Sequence, residues 1–156
     1  MFLRVLQAVG ENANNPLTDE TRKSLETALR YFREAAPKHT ADEEESLFPK
    51  LRQMQDSEAR SALQQLDSLE ADHRDVAPLH ALVDKLGERY LQIGLLSQSE
   101  ASEFRDAVSG LMSNYRQHIE MEDSVVFPVA ARLLSNTDRK VVAQEMAERR
   151  NIRLML

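Results

Sequence analysis

Apolar residues recur every three or four positions along most of the chain, and the runs they form predict helices. Phe2, Leu3, Val5, Leu6 and Val9 give a short amphipathic helix over residues 1 to about 13, stopped at Gly10 and by Asn12-Ala13-Asn14-Asn15-Pro16. A second helix begins near Thr18, an N-cap followed by Asp19 and Glu20, and carries Leu25, Leu29 and Phe32 on one face. It is expected to run through His39 and Glu43 with a bend or break at Pro37, because an internal proline removes a backbone bond and clashes with the preceding turn. Pro49 marks its end or a second bend. A third helix starts at Asp56 or Ser57 and takes Leu63, Leu66, Leu69, Val76, Leu79, Leu82, Val83 and Leu86 in the same rhythm, with His73 in the apolar stripe and a bend expected at Pro78.

The fourth helix opens on Ser97-Gln98-Ser99-Glu100, where Ser97 and Glu100 have capping-box spacing, and passes through Phe104, Val108, Leu111, Met112 and Tyr115. Ser135-Asn136-Thr137-Asp138 then gives a turn and a new N-cap. Val141, Val142 and Met146 predict a terminal helix to about Arg150, packed outside the rest. Four long or shortened helices with a short C-terminal helix fit an all-α, up-down-up-down four-helix bundle with short loops.

Composition sharpens this picture. The 156 residues, 42% of them hydrophobic, suit one domain over 1–156 with its own core, and only 4 glycines and 5 prolines interrupt a helix-forming background. There is no cysteine, which excludes disulfides, thiolate catalysis and cysteine-held clusters, so any metal must use His and carboxylate. A formal charge of −6, with one small basic cluster at Arg149, Arg150 and Arg153, speaks against nucleic acid as a partner. No apolar run approaches the ~20 residues of a membrane span, and Met1-Phe2-Leu3-Arg4 does not open a signal peptide, so a cytoplasmic chain without a membrane partner is expected.

The chemistry lies in a repeat. His39-Thr40-Ala41-Asp42-Glu43-Glu44-Glu45-Ser46-Leu47-Phe48-Pro49 returns as His118-Ile119-Glu120-Met121-Glu122-Asp123-Ser124-Val125-Val126-Phe127-Pro128, at a constant offset of 79. In each copy a Glu follows a His by four residues, and that spacing stacks the two side chains on one helix face. One such pair is usually a solvated ion pair. Two in register can each offer an imidazole and a carboxylate to one point inside a bundle, a donor set that suits iron, manganese or zinc. His73 lies in an apolar stripe, where a ring needs a hydrogen-bond partner or a metal. His80, on the same face but about 10.5 Å further along the axis, is read as structural. Asp42, Glu44, Glu45 and Glu120 are read as solvated acids able to support the ligand rings, Tyr115 as core packing, and Met112, Met121 and Met146 as core fillers.

The two His-x3-Glu motifs, each followed by Phe-Pro at one distance, with a lone His between them, resemble the hemerythrin-like HHE cation-binding family. The resemblance implies a four-helix bundle holding a non-haem di-iron centre, with His39 and His118 as terminal nitrogen ligands, Glu43 and Glu122 as bridging carboxylates and His73 as the third-helix ligand. Two departures stand out. His73 precedes His118 by 45 residues, and the counterpart of His73 in the first half would fall before Met1, so the first helix is expected to be shortened and the centre to hold two irons or only one. Ala77 stands where the oxygen-carrying members have a His, and Asp123 competes with Glu122 as the bridge, Glu122 being favoured because it alone matches Glu43.

The resemblance further implies handling or sensing of oxygen, nitric oxide or iron, with a small diatomic ligand as partner, and a binding role rather than an enzymatic one. Turnover would need a proton donor, for which Tyr115 is the candidate. Iron–sulfur cluster repair proteins share the paired motifs but carry a cysteine-bearing segment that has no match here. The reading of another class is a metal-free interaction bundle that dimerises through its truncated first helix.

Overall fold

The structure, a computed structural model, describes residues 1–54 and 57–153. Among the described residues every regular element is helical, and the fold is the all-α helical bundle that the apolar rhythm predicts. The chain forms two compact units, Met1–Ala35 with Arg74–Arg116, and Ala36–His73 with Gln117–Leu156.

The first unit contains α1 (Phe2–Glu11), α2 (Asp19–Glu34), the later part of α5 (Ser57–Ile93) and most of α6 (Gln98–Met121). Its core joins Leu6 and Val9, Leu25 and Leu29, Val76, Val83 and Leu86, and Phe104, Val108 and Leu111, residues that the three-four spacing marks, with Tyr90, which it does not mark. Helix α1 is short and ends at Glu11. Thr18 caps α2 by accepting from the Thr21 N–H at 3.2 Å, and Ser97 with Glu100 closes a reciprocal capping box on α6. Gly87 lets α5 approach α2, since a Cβ there would stand 2.8 Å from Leu29 Cδ1. His80 is half-buried on α5, with Nε2 3.0 Å from the Tyr115 hydroxyl and its ring against Phe32.

The second unit holds the repeat. Here the second helix departs from expectation: it ends at Glu34, and a separate α3 (Ala36–Ala41) carries His39. The break falls before Pro37 rather than at it, because a proline in the first turn of a helix gives up an N–H that has no intrahelical acceptor anyway. Pro78, in contrast, sits inside a continuous α5. Of the two expected starts of that helix, Ser57 is where it begins, while Asp56 lies outside the described residues.

Both motif copies then widen into π-helix, at Asp42–Leu47 (π1) and Glu122–Val126 (π2). The Phe48 N–H donates to the Glu43 carbonyl and the Phe127 N–H to the Glu122 carbonyl, five residues back in each case. Pro49 and Pro128 follow at once, within the first turn of α4 (Phe48–Arg52) and α7 (Phe127–Leu133). A proline lacks the N–H that an α-turn would use and its ring crowds the carbonyl of the turn before, so the wider turn stands where both copies must accommodate it. Phe48, Leu51, Leu66, Leu69 and Val126 pack beneath the two π turns. Helix α8 (Asn136–Arg149) is capped by Ser135 and lies against π1.

Candidate metal centre

All five residues singled out by the repeat and the apolar stripe belong to the second unit, and their polar atoms converge there. His39 comes from α3, Glu43 from π1, His73 from α5, His118 from α6 and Glu122 from π2. Within each copy the spacing of four places His39 Nε2 3.1 Å from Glu43 Oε1, and His118 Nε2 3.2 Å from Glu122 Oε1. Between elements, His73 Nε2 lies 3.1 Å from His118 Nε2 and 3.3 Å from Glu43 Oε2. Two triads result, Glu43 with His73 and His118, and Glu43 with His39 and Glu122, each with one donor atom per residue inside a 4.8 Å span. Glu43 belongs to both.

The burial is uneven. Glu43 is 1% exposed, and His118 and Glu122 are 3% each, whereas the His39 side chain is 50% exposed. Neither Glu43 oxygen nor Glu122 Oε1 has a hydrogen-bond partner of acceptable geometry among the described residues. The imidazole nitrogens come close to these oxygens without completing a hydrogen bond. Buried carboxylate oxygens left this way cost on the order of 1–3 kcal/mol or more each, unless something positive lies between them.

The tautomers lead to the same point. Glu44 Oε1 stands 2.7 Å from His73 Nδ1, so a neutral His73 donates its Nδ1–H to Glu44 and turns the bare Nε2 toward His118 Nε2. Across the 3.1 Å between the two nitrogens, either an N–H of His118 donates to His73 or a cation takes both lone pairs. With metal–nitrogen bonds of about 2.1 Å, neighbouring donors around one ion stand about 3.0–3.4 Å apart, which matches these spacings. The donor set and the orphaned oxygens therefore fit a cation.

The hemerythrin HHE cation binding domain matches residues 1–130 of the chain. The chain belongs to this family. No curated protein matches it.

As a member of the hemerythrin HHE family, the chain has a metal-binding character that its electrostatics suit. Burial pushes the Glu43 carboxyl up to about 7, with the neighbouring Glu122 adding to the rise. Burial also opposes ionisation of Glu122, yet the His118 imidazole and the Glu43 carboxyl outweigh it and hold Glu122 below the usual range. Burial works against charge on His73 and His118 too, but Glu43 and Glu44 raise the first and Glu122 the second. Without a cation the cluster thus keeps itself near neutrality with shared protons, which a divalent ion can replace.

Three acids behave differently from one another, two of which, Asp42 and Glu44, the sequence reads as solvated acids able to support the ligand rings. Glu44 orients His73, and Asp72 Oδ2 lies 3.5 Å from His118 Nδ1. Asp42, expected in solvent, is 4% exposed and held by Arg149 and Arg150. Glu45 and Glu120 are exposed as expected, and Asp123, the competing candidate for the bridge, is exposed while Glu122 is buried. The register of Glu44 with Asp123 hides this difference, because only Glu44 has a ring to meet. No signal in the sequence marks Asp72, which simply precedes His73. No helix among the described residues is long and apolar enough to cross a membrane.

Proposed function

We propose that this chain is a non-haem metal protein that binds a pair of cations, iron foremost, through His39, Glu43, His73, His118 and Glu122, and that it handles or senses oxygen, nitric oxide or iron. The observation that carries the reading is the convergence of three imidazole nitrogens and two buried carboxylates, three of whose oxygens, both of Glu43 and Oε1 of Glu122, have no hydrogen bond among the described residues. Glu43 is the shared bridge. His73 and His118 complete a buried position, and His39 with Glu122 a position open toward solvent through the half-exposed His39.

Bound iron would supply Lewis-acid and one-electron chemistry at a position the protein leaves open. The chain's own part is to aim lone pairs and exclude water: Glu44 fixes the His73 tautomer, and the apolar residues Phe48, Leu69 and Val126 close the floor of the unit. Manganese and zinc accept the same donors, and the family membership supports a cation without choosing among them.

Metal analysis and optical spectra of protein expressed in iron-replete medium test the proposal. Iron at about two ions per chain is expected for a bridged pair, with a spectrum that changes when nitric oxide or oxygen is admitted. Absence of bound iron overturns the iron reading. A loaded spectrum indifferent to both gases leaves an iron-handling role alone.

A further inference from the structure

Four consecutive acids, Asp42, Glu43, Glu44 and Glu45, open π1, and in a single turn they repel one another. The structure separates them by giving each a different partner. Glu43 faces the imidazoles and Glu44 takes His73. Asp42 receives Arg149 Nη1 at 3.1 Å and Arg150 Nη1 at 3.0 Å, both on Oδ1, with Arg150 Nη2 on its other oxygen. Glu45 receives Arg149 Nη2 at 3.2 Å, and the same nitrogen donates to Ser46 Oγ at 2.8 Å. The end of α8 is thereby locked across π1 by two guanidinium groups on a carboxylate that is almost fully buried.

The second copy has nothing equivalent. At the offset of 79, Asp42, Glu45 and Ser46 become Met121, Ser124 and Val125, and π2 carries only Glu122 and Asp123 as acids. The residues that α8 grips are therefore among those by which the first copy departs from the second. Helix α8 starts at Asn136, beyond the residues that the family match covers. We infer that Arg149 and Arg150, acting through Asp42, are positioning residues that hold π1 so that Glu43 presents its carboxylate to the cation. Bidentate guanidinium pairing fixes direction as well as charge, and a buried Asp42 leaves the turn little freedom to rotate. This inference rests on the metal reading above.

The test uses the full chain, stripped of metal and titrated with cobalt(II) alone, following the optical spectrum and the dissociation constant, with melting of the metal-free protein measured in parallel. Arg149→Ala/Arg150→Ala is expected to raise the cobalt dissociation constant about tenfold or more and to alter the spectrum, as removal of groups that orient ligands does. Because that variant strands a buried charge, Asp42→Met/Arg150→Leu serves beside it, placing at 42 the residue found at 121 and leaving no orphaned charge. It is expected to fold and to show the same weakening, while Arg150→Lys recovers part of the affinity. Cobalt binding of wild-type strength and spectrum in folded Asp42→Met/Arg150→Leu overturns the inference, whatever the melting temperature does, since the latch would then be a brace only. Wild-type protein that takes up no cobalt removes the metal reading, and the inference with it.

Discussion

Glu44 Oε1 lies 2.7 Å from Nδ1 of His73, and Glu44 is the residue next to Glu43, whose Oε2 lies 3.3 Å from Nε2 of the same ring. Two adjacent acids of one π turn thus stand at the two nitrogens of one imidazole, Glu44 bonded to Nδ1 and Glu43 close to Nε2 without a hydrogen bond. An α-turn would point neighbouring side chains about 100° apart, and the wider turn is where both meet the ring. The first acid faces the cluster, and the second decides which nitrogen faces it.

Replacing Glu44 by Ala should therefore leave the fold intact and weaken cation binding about tenfold, because His73 loses the group that fixes its tautomer. Titration with iron(II) under anaerobic conditions measures this. Affinity equal to the wild type would mean that the ring is oriented by packing alone.

Glu43 belongs to both triads and His39 to one. His39→Ala should lower the bound metal from about two ions per chain toward one, while Glu43→Ala should lose both. Glu43→Gln should in addition raise the melting temperature of the metal-free protein by roughly 2–4 °C per kcal/mol recovered, since it removes a buried, unbonded carboxylate. Elemental analysis and calorimetry read the two effects separately.

Phe48 and Phe127 occupy the same place in the repeat, yet Phe48 is fully buried and Phe127 is 38% exposed. Phe48→Ala should cost about 3–5 kcal/mol of stability through the cavity it leaves. Phe127→Ala should cost about 1 kcal/mol or less, as partly exposed positions do. Urea unfolding of the two variants decides it, and equal losses would contradict the burial seen here.

His80 adds a pH dependence of its own, apart from the cluster. Burial holds its pKa below the usual 6.5, and it faces the Tyr115 hydroxyl from α6 and the Phe32 ring from α2. Between the folded value and 6.5 the unfolded chain binds more protons than the folded one, so this contribution to stability is complete above about pH 6.5 and is lost as the pH falls through the depressed value. Relative to His80→Phe, the metal-free wild type should lose stability between pH 7 and pH 5, against the opposite trend from Glu43, His73 and His118, whose raised pKa values favour the folded state at lower pH. An unchanged slope in the variant would assign the acid sensitivity to other groups.

The helices of the first unit were legible because their information is local: the three-four spacing of Leu25, Leu29 and Phe32, and of Phe104, Val108 and Leu111, marks the buried faces, and Thr18 and Ser97 mark the starts. The candidate ligands were legible for a different reason. Two copies of one pattern at a constant offset repeat the same local geometry, so His39 with Glu43 and His118 with Glu122 announce themselves, and His73 stands out as a polar ring in an apolar stripe. The break before Pro37 and the two π turns were not legible, since backbone hydrogen bonding that yields to a following proline has no periodicity of its own.

By itself, then, the sequence determined the helical class, the helix starts at Thr18 and Ser97 and the choice of five candidate residues, because spacing along a helix converts directly into a shared face. Only the tertiary structure decided that Phe48 is buried where Phe127 is not, that Asp42 is buried rather than solvated, and that Arg149 and Arg150 close on it from more than a hundred residues away. The physical reason is that burial and charge pairing depend on what other segments bring to the same place. The two copies are alike in sequence, and α8 lies against the π turn of the first.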